Sequence, residues 1–274
     1  MSLIESAVAK ARKVAQASQT AQSAVQQTRM TPGRRVGRTG SPETARKYPD
    51  CRPNAARMEE SRILPQIVDQ VALRAYKILR TRLLQRLGQN NWQTLAVTAT
   101  DSAQGKTLTA INLAIALAQD PNTWVLLVDL DLQRPMIGTY MGMTFEHGLG
   151  EYLAGEAELD QIIYSPGIER LAIIPNSISF EHSSERLTGA RMLELQSFIA
   201  EESPRRIVIY DMPPLLLSDD VLTFGPQVDG LLLVVSEGNT PRSSLKKSKE
   251  LLAEMNLIGV VLNRSTERDD SGYY

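Results

Sequence analysis

The chain has little of several residue types, and each shortage excludes a class of protein. Its 274 residues include one cysteine, Cys51, which excludes an internal disulfide framework and fits a reducing compartment. No apolar run approaches the roughly 20 residues that span a bilayer, and the first residues lack the apolar segment of a signal peptide. Apolar residues still make up 42% of the chain, enough for a core. These features predict a soluble, cytoplasmic protein.

Net charge is also nearly absent, but the charges are unevenly distributed. The formal net charge is -1, so the chain as a whole predicts no specific nucleic-acid partner. Residues 1–57 hold eleven Lys and Arg against three Asp and Glu. The spacing of Leu3, Ile4, Ala7, Val8 and Ala11 predicts an N-terminal helix, and the basic composition predicts a disordered linker, over 1–60 together. A folded domain over 61–264 and a tyrosine-bearing tail over 265–274 complete the predicted organisation.

Short apolar runs alternate with helical stretches along the predicted domain. Helices are predicted at 67–87, 108–118, 190–201 and 242–255, and strands at 93–98, 124–129, 171–175, 206–211, 231–235 and 257–262. Short, fully apolar strands that alternate with helices indicate an α/β fold with a mostly parallel sheet covered by helices on both faces. Ligands of such sheets bind beyond the carboxyl ends of the strands.

The stretch ATDSAQGKT follows the first of these strands and ends in Gly105, Lys106 and Thr107. A strand before it and a helix after it are the context of a phosphate-binding loop, where Lys106 reaches the outer phosphates and Thr107 binds Mg²⁺. The alternative is a capped helix start with a solvated lysine. Gly105 is the only glycine, although tight loops often need positive φ; Ser102 and Ala103 are small enough for close backbone approach.

Acidic residues end two other predicted strands. Asp129 ends VLLVD and Asp131 follows two positions later, while Asp211 ends RIVIYD. Buried carboxylates are costly unless they hold a cation or shape a site. A strand-end turn residue before two prolines is the alternative for Asp211. Because carboxyl ends of parallel strands share one edge, we expect these acids to meet the GKT loop there.

The order GKT, VDLDxxRP, YDxPP and GVVLN resembles that of the bacterial protein-tyrosine kinases of exopolysaccharide and capsule synthesis, which are relatives of the partition and septum-site ATPases. The resemblance covers about residues 71–263. It implies a P-loop NTPase fold, ATP and Mg²⁺ as cofactors, and an ATP-dependent protein-tyrosine autokinase. The alternative is a nucleotide-switched regulator of the same export machinery that is weakly catalytic or inactive.

The resemblance also implies roles for individual residues. It implies catalytic roles for Lys106, Asp129, Asp131 and Arg134, and magnesium contacts for Thr107, Asp129 and Asp211. It implies nucleotide contacts for Ser102, Ala103, Gln104, Gly105, Lys106, Thr107, Thr109 and Asn263. The phosphoacceptors that it implies are Tyr273 and Tyr274. Asn263 fits an adenine contact and a strand-end turn equally well. The two tyrosines fit an acceptor cluster or an accidental tail.

Three positions depart from the family pattern. The loop SAQGKT lacks the usual proline-glycine pair, which predicts weaker nucleotide binding. Gln133 stands where arginine is usual, with Arg134 next to it, and phosphoryl transfer depends on accurately placed positive charge. Arg74 replaces a glutamate in a helix motif that serves ring assembly, which argues against a typical ring.

A further segment, 183–191, resembles the serine-rich turn of the family or is a helix cap.

Partners are implied by the resemblance alone. A membrane-bound polysaccharide co-polymerase, or chain-length protein, is expected to recruit the chain to the inner face of the cell membrane. A homo-oligomer is possible within the same resemblance, in which the tail of one copy is phosphorylated by its neighbour. A partition ATPase acting on DNA is disfavoured, because Asp101 stands where that branch carries a lysine.

Overall fold

A computed structural model describes residues 48–66, 69–202 and 206–265. Its helices are α1 (Ala55–Glu60), α2 (Gln70–Asn90), α3 (Lys106–Ala118), α4 (Ile137–Met141), α5 (Leu149–Ala154), α6 (Leu159–Ile162), α7 (Ser183–Leu187), α8 (Ala190–Glu202), α9 (Asp220–Phe224) and α10 (Arg242–Leu251). Its strands are β1 (Thr94–Ala99), β2 (Trp124–Asp129), β3 (Leu171–Ile174), β4 (Arg206–Asp211), β5 (Gly230–Ser236) and β6 (Leu257–Asn263). The alternation of these elements confirms the predicted α/β fold.

The six strands form one parallel sheet in the order β3-β2-β4-β1-β5-β6. The register pairs Asp129 at the end of β2 with Asp211 at the end of β4, and Asp211 also lies opposite Val97 of β1. Strands β2, β4 and β1 therefore end side by side in the middle of the sheet. Their order brings the two acidic strand ends next to the loop that follows β1.

Successive strand residues feed two separate cores, one on each face of the sheet. On β4, Ile207 and Ile209 pack into one core, and Val208 and Tyr210 pack into the other. Helices α2 and α3 contribute to the first core, and α8 contributes to the second. Burial on both faces explains why these strands read as continuous apolar runs.

Helix α3 is the central helix of the first face, and nearly every residue from Thr107 to Ala118 is buried. Its polar Asn112 is satisfied by backbone: the amide nitrogen donates to Arg62 O at 3.1 Å, and the amide oxygen accepts from Leu64 N at 2.8 Å. This pair of hydrogen bonds fixes the segment before α2 on α3. The helix that follows the GKT loop is therefore packed on the sheet and hydrogen-bonded to the segment over 62–64.

The folded unit begins at Tyr48, earlier than the boundary at residue 61 predicted above. Cys51 and Met58 are buried in the first core, and Cys51 N donates to Ser165 O at 2.8 Å. The basic, proline-containing composition of this segment concealed those anchors. The predictions for residues 1–47 and for Tyr273 and Tyr274 lie outside the described residues. Within the described ranges, no helix combines the length and apolarity needed to cross a bilayer.

Candidate nucleotide site at the carboxyl edge of the sheet

The loop between β1 and α3 uses two residues with left-handed backbone. Gly105 has a φ of 89° immediately before α3, and Ala103 has a φ of 58°. The expectation that this loop needs positive φ is confirmed, but one of the two positions is filled by alanine. Left-handed backbone costs a non-glycine residue about 1–2 kcal/mol, so the loop keeps its shape at a local penalty.

Gln104 holds the loop together from inside. Its side chain is buried, and its amide oxygen accepts from Thr100 N at 3.1 Å and from Thr100 Oγ1 at 2.6 Å. Ser102 and Ala103 lie exposed on the outer side of the loop. The side chain of Gln104 is therefore engaged within the loop, while its neighbours face solvent.

Asn263, at the end of β6, supports the loop from the other side. Its side-chain nitrogen donates to Gln104 O at 2.9 Å. A Cβ added at Gly105 would lie 2.1 Å from that same nitrogen, so glycine is required for space as well as for φ. The hydrogen bond gives Asn263 a loop-supporting role that neither sequence alternative included.

Lys106 lies among the acids predicted to join it. Its Nζ is 2.8 Å from Asp131 Oδ2 and 3.5 Å from Asp211 Oδ1. The Thr107 hydroxyl donates to Asp211 Oδ2 at 2.6 Å. Residues from the loop, from the end of β2 and from the end of β4 therefore meet at one point, as the sequence predicted.

Asp129 is fully buried beside them and only half satisfied. Its Oδ2 accepts from Met136 N at 3.0 Å and from Ile137 N at 2.9 Å, which anchors the start of α4. Its Oδ1 is buried and makes no hydrogen bond. Such an orphan oxygen is costly, and a bound cation or a substrate hydroxyl would satisfy it.

The pKa values of two carboxyl groups and the lysine in this cluster are shifted from their ordinary values. Burial raises the pKa of Asp129 well above its ordinary value, and the neighbouring Asp211 raises it further. Burial also raises the pKa of Asp211 to about 6, against the opposing effect of Lys106. Burial lowers the pKa of Lys106, but the attraction of Asp211 and Asp131 outweighs it, and the net change is upward. Added positive charge would stabilise the ionised carboxylates.

The donor set fits magnesium bound together with phosphates. Within the described ranges, no three His, Cys, Asp or Glu side chains are grouped to hold a metal ion unaided. Mg²⁺ commonly takes one or two protein carboxylates and completes its shell with phosphate oxygens and water. The Thr107 hydroxyl and the Asp211 carboxylate suit that arrangement, and the free Oδ1 of Asp129 suits a contact to the ion through a bound water molecule.

The remaining predicted residues contribute differently. Arg134 donates its backbone N–H to Asp131 Oδ1 at 2.9 Å, and its side chain is exposed. Thr109 is buried in the first turn of α3, where its N–H donates to Gly105 O at 2.9 Å. The nucleotide, metal and catalytic roles of these residues stay predictions.

Comparisons with known proteins agree with this geometry. Residues 95–273 match the family described as the CobQ/CobB/MinD/ParA nucleotide binding domain. Tyrosine-protein kinase YwqD of Bacillus subtilis is 28% identical over 73% of this chain and 84% of its own length. Tyrosine-protein kinase etk of Escherichia coli K12 is 32% identical over 74% of this chain but only 28% of its own length.

A solved structure supports the same assignment. The kinase domain of the Escherichia coli tyrosine kinase ETK superposes with a TM-score of 0.64 at 30% identity, covering 74% of this chain and 80% of that domain. Taken with the lysine, threonine and acids gathered at the sheet edge, these matches assign the family. The chain belongs to the CobQ/CobB/MinD/ParA nucleotide-binding family and, within it, to the bacterial tyrosine kinases.

Proposed function

We propose that the chain is an ATP-dependent protein-tyrosine kinase that phosphorylates tyrosines of a second copy and thereby regulates exopolysaccharide or capsule polymerisation and export. The observation that carries the proposal is the meeting of Lys106 and Thr107 with Asp131 and Asp211 within hydrogen-bonding or ion-pairing distance. The names of its relatives, tyrosine-protein kinases, support the reaction class.

In this proposal, each residue of the site has a separate role in phosphoryl transfer. The N–H groups at the start of α3 would bind the phosphates, and Lys106 would leave Asp131 for them, neutralising charge on the leaving and transferred groups. Bound Mg²⁺ supplies further positive charge at the phosphates. Asp129, whose pKa is raised by burial, accepts the proton of the attacking tyrosine hydroxyl as the phosphorus–oxygen bond to ADP breaks.

Tyr273 and Tyr274 are the acceptors in this proposal. They stand ten and eleven residues after Asn263, whose side chain already contacts the loop. A neighbouring copy is the proposed substrate, as in the homo-oligomer considered under the family resemblance.

The proposed partner is a membrane-bound polysaccharide co-polymerase that brings the chain to the inner face of the cell membrane. Its support is the family resemblance and the basic excess of residues 1–57, which suits an anionic surface. Arg74, in place of the glutamate usual in the assembly motif, lies on the exposed part of α2 and favours a weaker or different oligomer.

A nucleotide switch without phosphoryl transfer is the second candidate, and one observation favours it. Lys106 is already paired with Asp131 at 2.8 Å, so phosphates must compete with a carboxylate for the lysine. Combined with Ala103 in the loop and Gln133 in place of arginine, this competition favours slow chemistry. Such a protein would bind ATP and signal through its shape.

One labelling experiment separates the candidates. Full-length protein is incubated with γ-labelled ATP and Mg²⁺, beside Lys106→Met, the double variant Tyr273→Phe/Tyr274→Phe, and Lys249→Met as a matched control on an exposed face of α10. The kinase proposal predicts phosphotyrosine in wild type and Lys249→Met and loss of label in the other two. ATP binding without phosphotyrosine in wild type would establish the switch instead.

A further inference from the structure

A polar cluster lies behind the acidic motif, away from the loop. It comprises Gln133, Ser183, Ser218 and Asp220, contributed by the turn after β2, by α7, by the segment after β4 and by α9. Asp220 is fully buried, and its Oδ2 makes no hydrogen bond. The sequence signals nothing here, because Asp219 and Asp220 adjoin and only the structure shows that the second is buried while the first is exposed.

Hydrogen bonds connect all four members of this cluster. Ser183 Oγ donates to Asp220 Oδ1 at 2.8 Å, and Asp220 N donates to Ser218 Oγ at 3.2 Å. Gln133 Nε2 then donates to both hydroxyls, at 3.2 Å to Ser183 and 3.0 Å to Ser218. Ser183 therefore bridges the buried carboxyl to the amide of Gln133, and Ser218 bridges the backbone N–H of Asp220 to the same amide.

Packing alone does not account for Asp220. Burial raises its pKa to about 6, while the hydrogen bond from Ser183 acts against that rise. A buried ionisable group is costly unless all its acceptors are satisfied, and an apolar side chain of similar size would serve packing better. The carboxyl gives Ser183 a strong acceptor, which leaves the serine lone pair free for Gln133.

The cluster reaches the nucleotide site through one short turn. Gln133 follows Asp131 by two positions, and the N–H of Arg134 donates to Asp131 Oδ1. The other oxygen of Asp131 pairs with Lys106 at 2.8 Å. Fixing Gln133 therefore fixes the turn over 131–134, and with it the carboxylate that holds the loop lysine.

We propose that Asp220 is a positioning residue, which holds Gln133 through Ser183 and Ser218 and thereby sets the position of Asp131 against Lys106. This inference rests on the proposed function only in taking Lys106 and Asp131 as parts of the nucleotide site. The fixed turn gives Lys106 one defined carboxylate to leave when phosphates bind and to return to when they depart.

The test follows the Lys106 ammonium by nuclear magnetic resonance in full-length protein without nucleotide. Asp220→Ala and Gln133→Leu are each expected to shift its ¹⁵Nζ signal and to speed exchange of its protons about fivefold, as expected for weakening one hydrogen-bonded contact. The double variant is expected to match Gln133→Leu, because Gln133→Leu already removes both serine contacts through which Asp220 acts. Asp220→Asn keeps an acceptor for Ser183 and is expected to restore the wild-type signal.

Two further variants keep the test decisive. Asp219→Ala changes the exposed neighbour, whose side chain makes no capping hydrogen bond, and is expected to leave the signal unchanged. Ser183→Ala/Ser218→Ala removes the bridge with Asp220 in place, so it replaces Asp220→Ala if that variant does not fold. An unchanged Lys106 signal in the folded bridge variants, or additive effects in the double variant, would overturn the inference.

Kinetics then measure the consequence. Asp220→Ala and Gln133→Leu are expected to lower kcat for tyrosine phosphorylation about tenfold while KM for ATP stays within about twofold, and Asp220→Asn is expected to recover kcat. If Asp220→Ala acted only by loosening the packing, it would lower the melting temperature, and Asp220→Asn would not recover kcat. Failure of the proposed function would be seen in wild type as missing label, whereas failure of this inference would be seen in the Lys106 signal.

Discussion

Ala103 carries the main departure of the loop from the family pattern. Its φ of 58° is the left-handed conformation that glycine adopts without penalty. The chain therefore preserves the shape of a phosphate-binding loop with an unsuitable residue, and Gln104 stabilises it through Thr100. The weaker nucleotide binding predicted from the sequence stays a prediction.

Replacing Ala103 with glycine is expected to stabilise the protein. Relief of the left-handed strain contributes about 1 kcal/mol, which raises the melting temperature by about 2–4 °C in a domain of this size. Ser102→Gly is the matched control, because Ser102 lacks positive φ and gains only unfolded-state entropy, which destabilises. Thermal unfolding measures both, and a melting temperature for Ala103→Gly no higher than for Ser102→Gly would contradict this explanation.

Asp220 predicts a pH dependence of stability. Its pKa is about 6 in the fold against an ordinary 3.8, so the folded state binds the proton more tightly. The stability it contributes is fully present below the ordinary pKa and is lost as pH rises through the folded value. Asp220→Asn, uncharged throughout, is expected to gain melting temperature relative to wild type between about pH 4 and about pH 8. A difference that is constant with pH would contradict this.

At the scale of elements, the last strand and the loop form one unit. Asn263 of β6 donates to Gln104 O, and Gly105 leaves the space that its side chain occupies. Strand β6 is an edge strand two positions away from β1, yet it restrains the loop that β1 starts. Substitutions at the end of β6 are therefore expected to change the affinity for nucleotide.

Asn263→Ala is expected to weaken Mg·ATP binding about fivefold, corresponding to the loss of one hydrogen bond of about 1 kcal/mol. Asn256→Ala is a matched control at the other end of β6, since Asn256 also donates its amide to a backbone carbonyl, that of Asp229, at 3.0 Å. Both variants should lose similar stability, but only Asn263→Ala should lose affinity in a fluorescence titration. Equal affinities would show that the contact does not act on the loop.

The elements differ in how far the sequence alone predicts them. Strands β2 and β4 match their predicted bounds, 124–129 and 206–211, because burial on both faces produces an uninterrupted apolar run. Helices α4 to α7 and α9 are too short to show a helical period, so no pattern indicates them. The convergence of strand-end acids with Lys106 follows from topology, which a sequence pattern can predict.

Side-chain direction inside the site is what the sequence does not predict. The side chain of Gln104 points inward to Thr100, as the geometry of the loop requires. The side chain of Gln133 points away from the loop toward two serines that are distant in the chain. The side chain of Arg134 is exposed and its backbone N–H donates to Asp131, while its catalytic role stays a prediction. Local spacing fixes neither direction, because tertiary hydrogen bonds decide it.

At the scale of the whole molecule, the strand order builds the site. Strands β2, β4 and β1 are neighbours in the middle of the sheet, so their carboxyl ends bring Asp129, Asp211 and the loop together. The network behind the site, ending at Asp220, adds α7 and α9 from the other face. Elements from both faces of the sheet therefore surround the carboxyl ends of β2 and β4.

Magnesium-dependent nucleotide binding tests this account most directly. Thr107→Val removes the hydroxyl that lies 2.6 Å from Asp211 while keeping the shape of the side chain. Thr123→Val is the matched control, because Thr123 is a buried threonine that donates to Asp120 at 3.0 Å just before β2, at the opposite edge of the sheet. The affinity of full-length protein for ATP is measured by calorimetry with and without Mg²⁺.

The account predicts that Thr107→Val weakens Mg·ATP binding by about tenfold, or about 1.4 kcal/mol, and that Thr123→Val matches wild type. Without Mg²⁺, all three proteins should bind ATP with similar, weaker affinity. Wild-type affinity for Mg·ATP in folded Thr107→Val, or an equal loss in Thr123→Val, would contradict a magnesium-nucleotide site at this edge of the sheet.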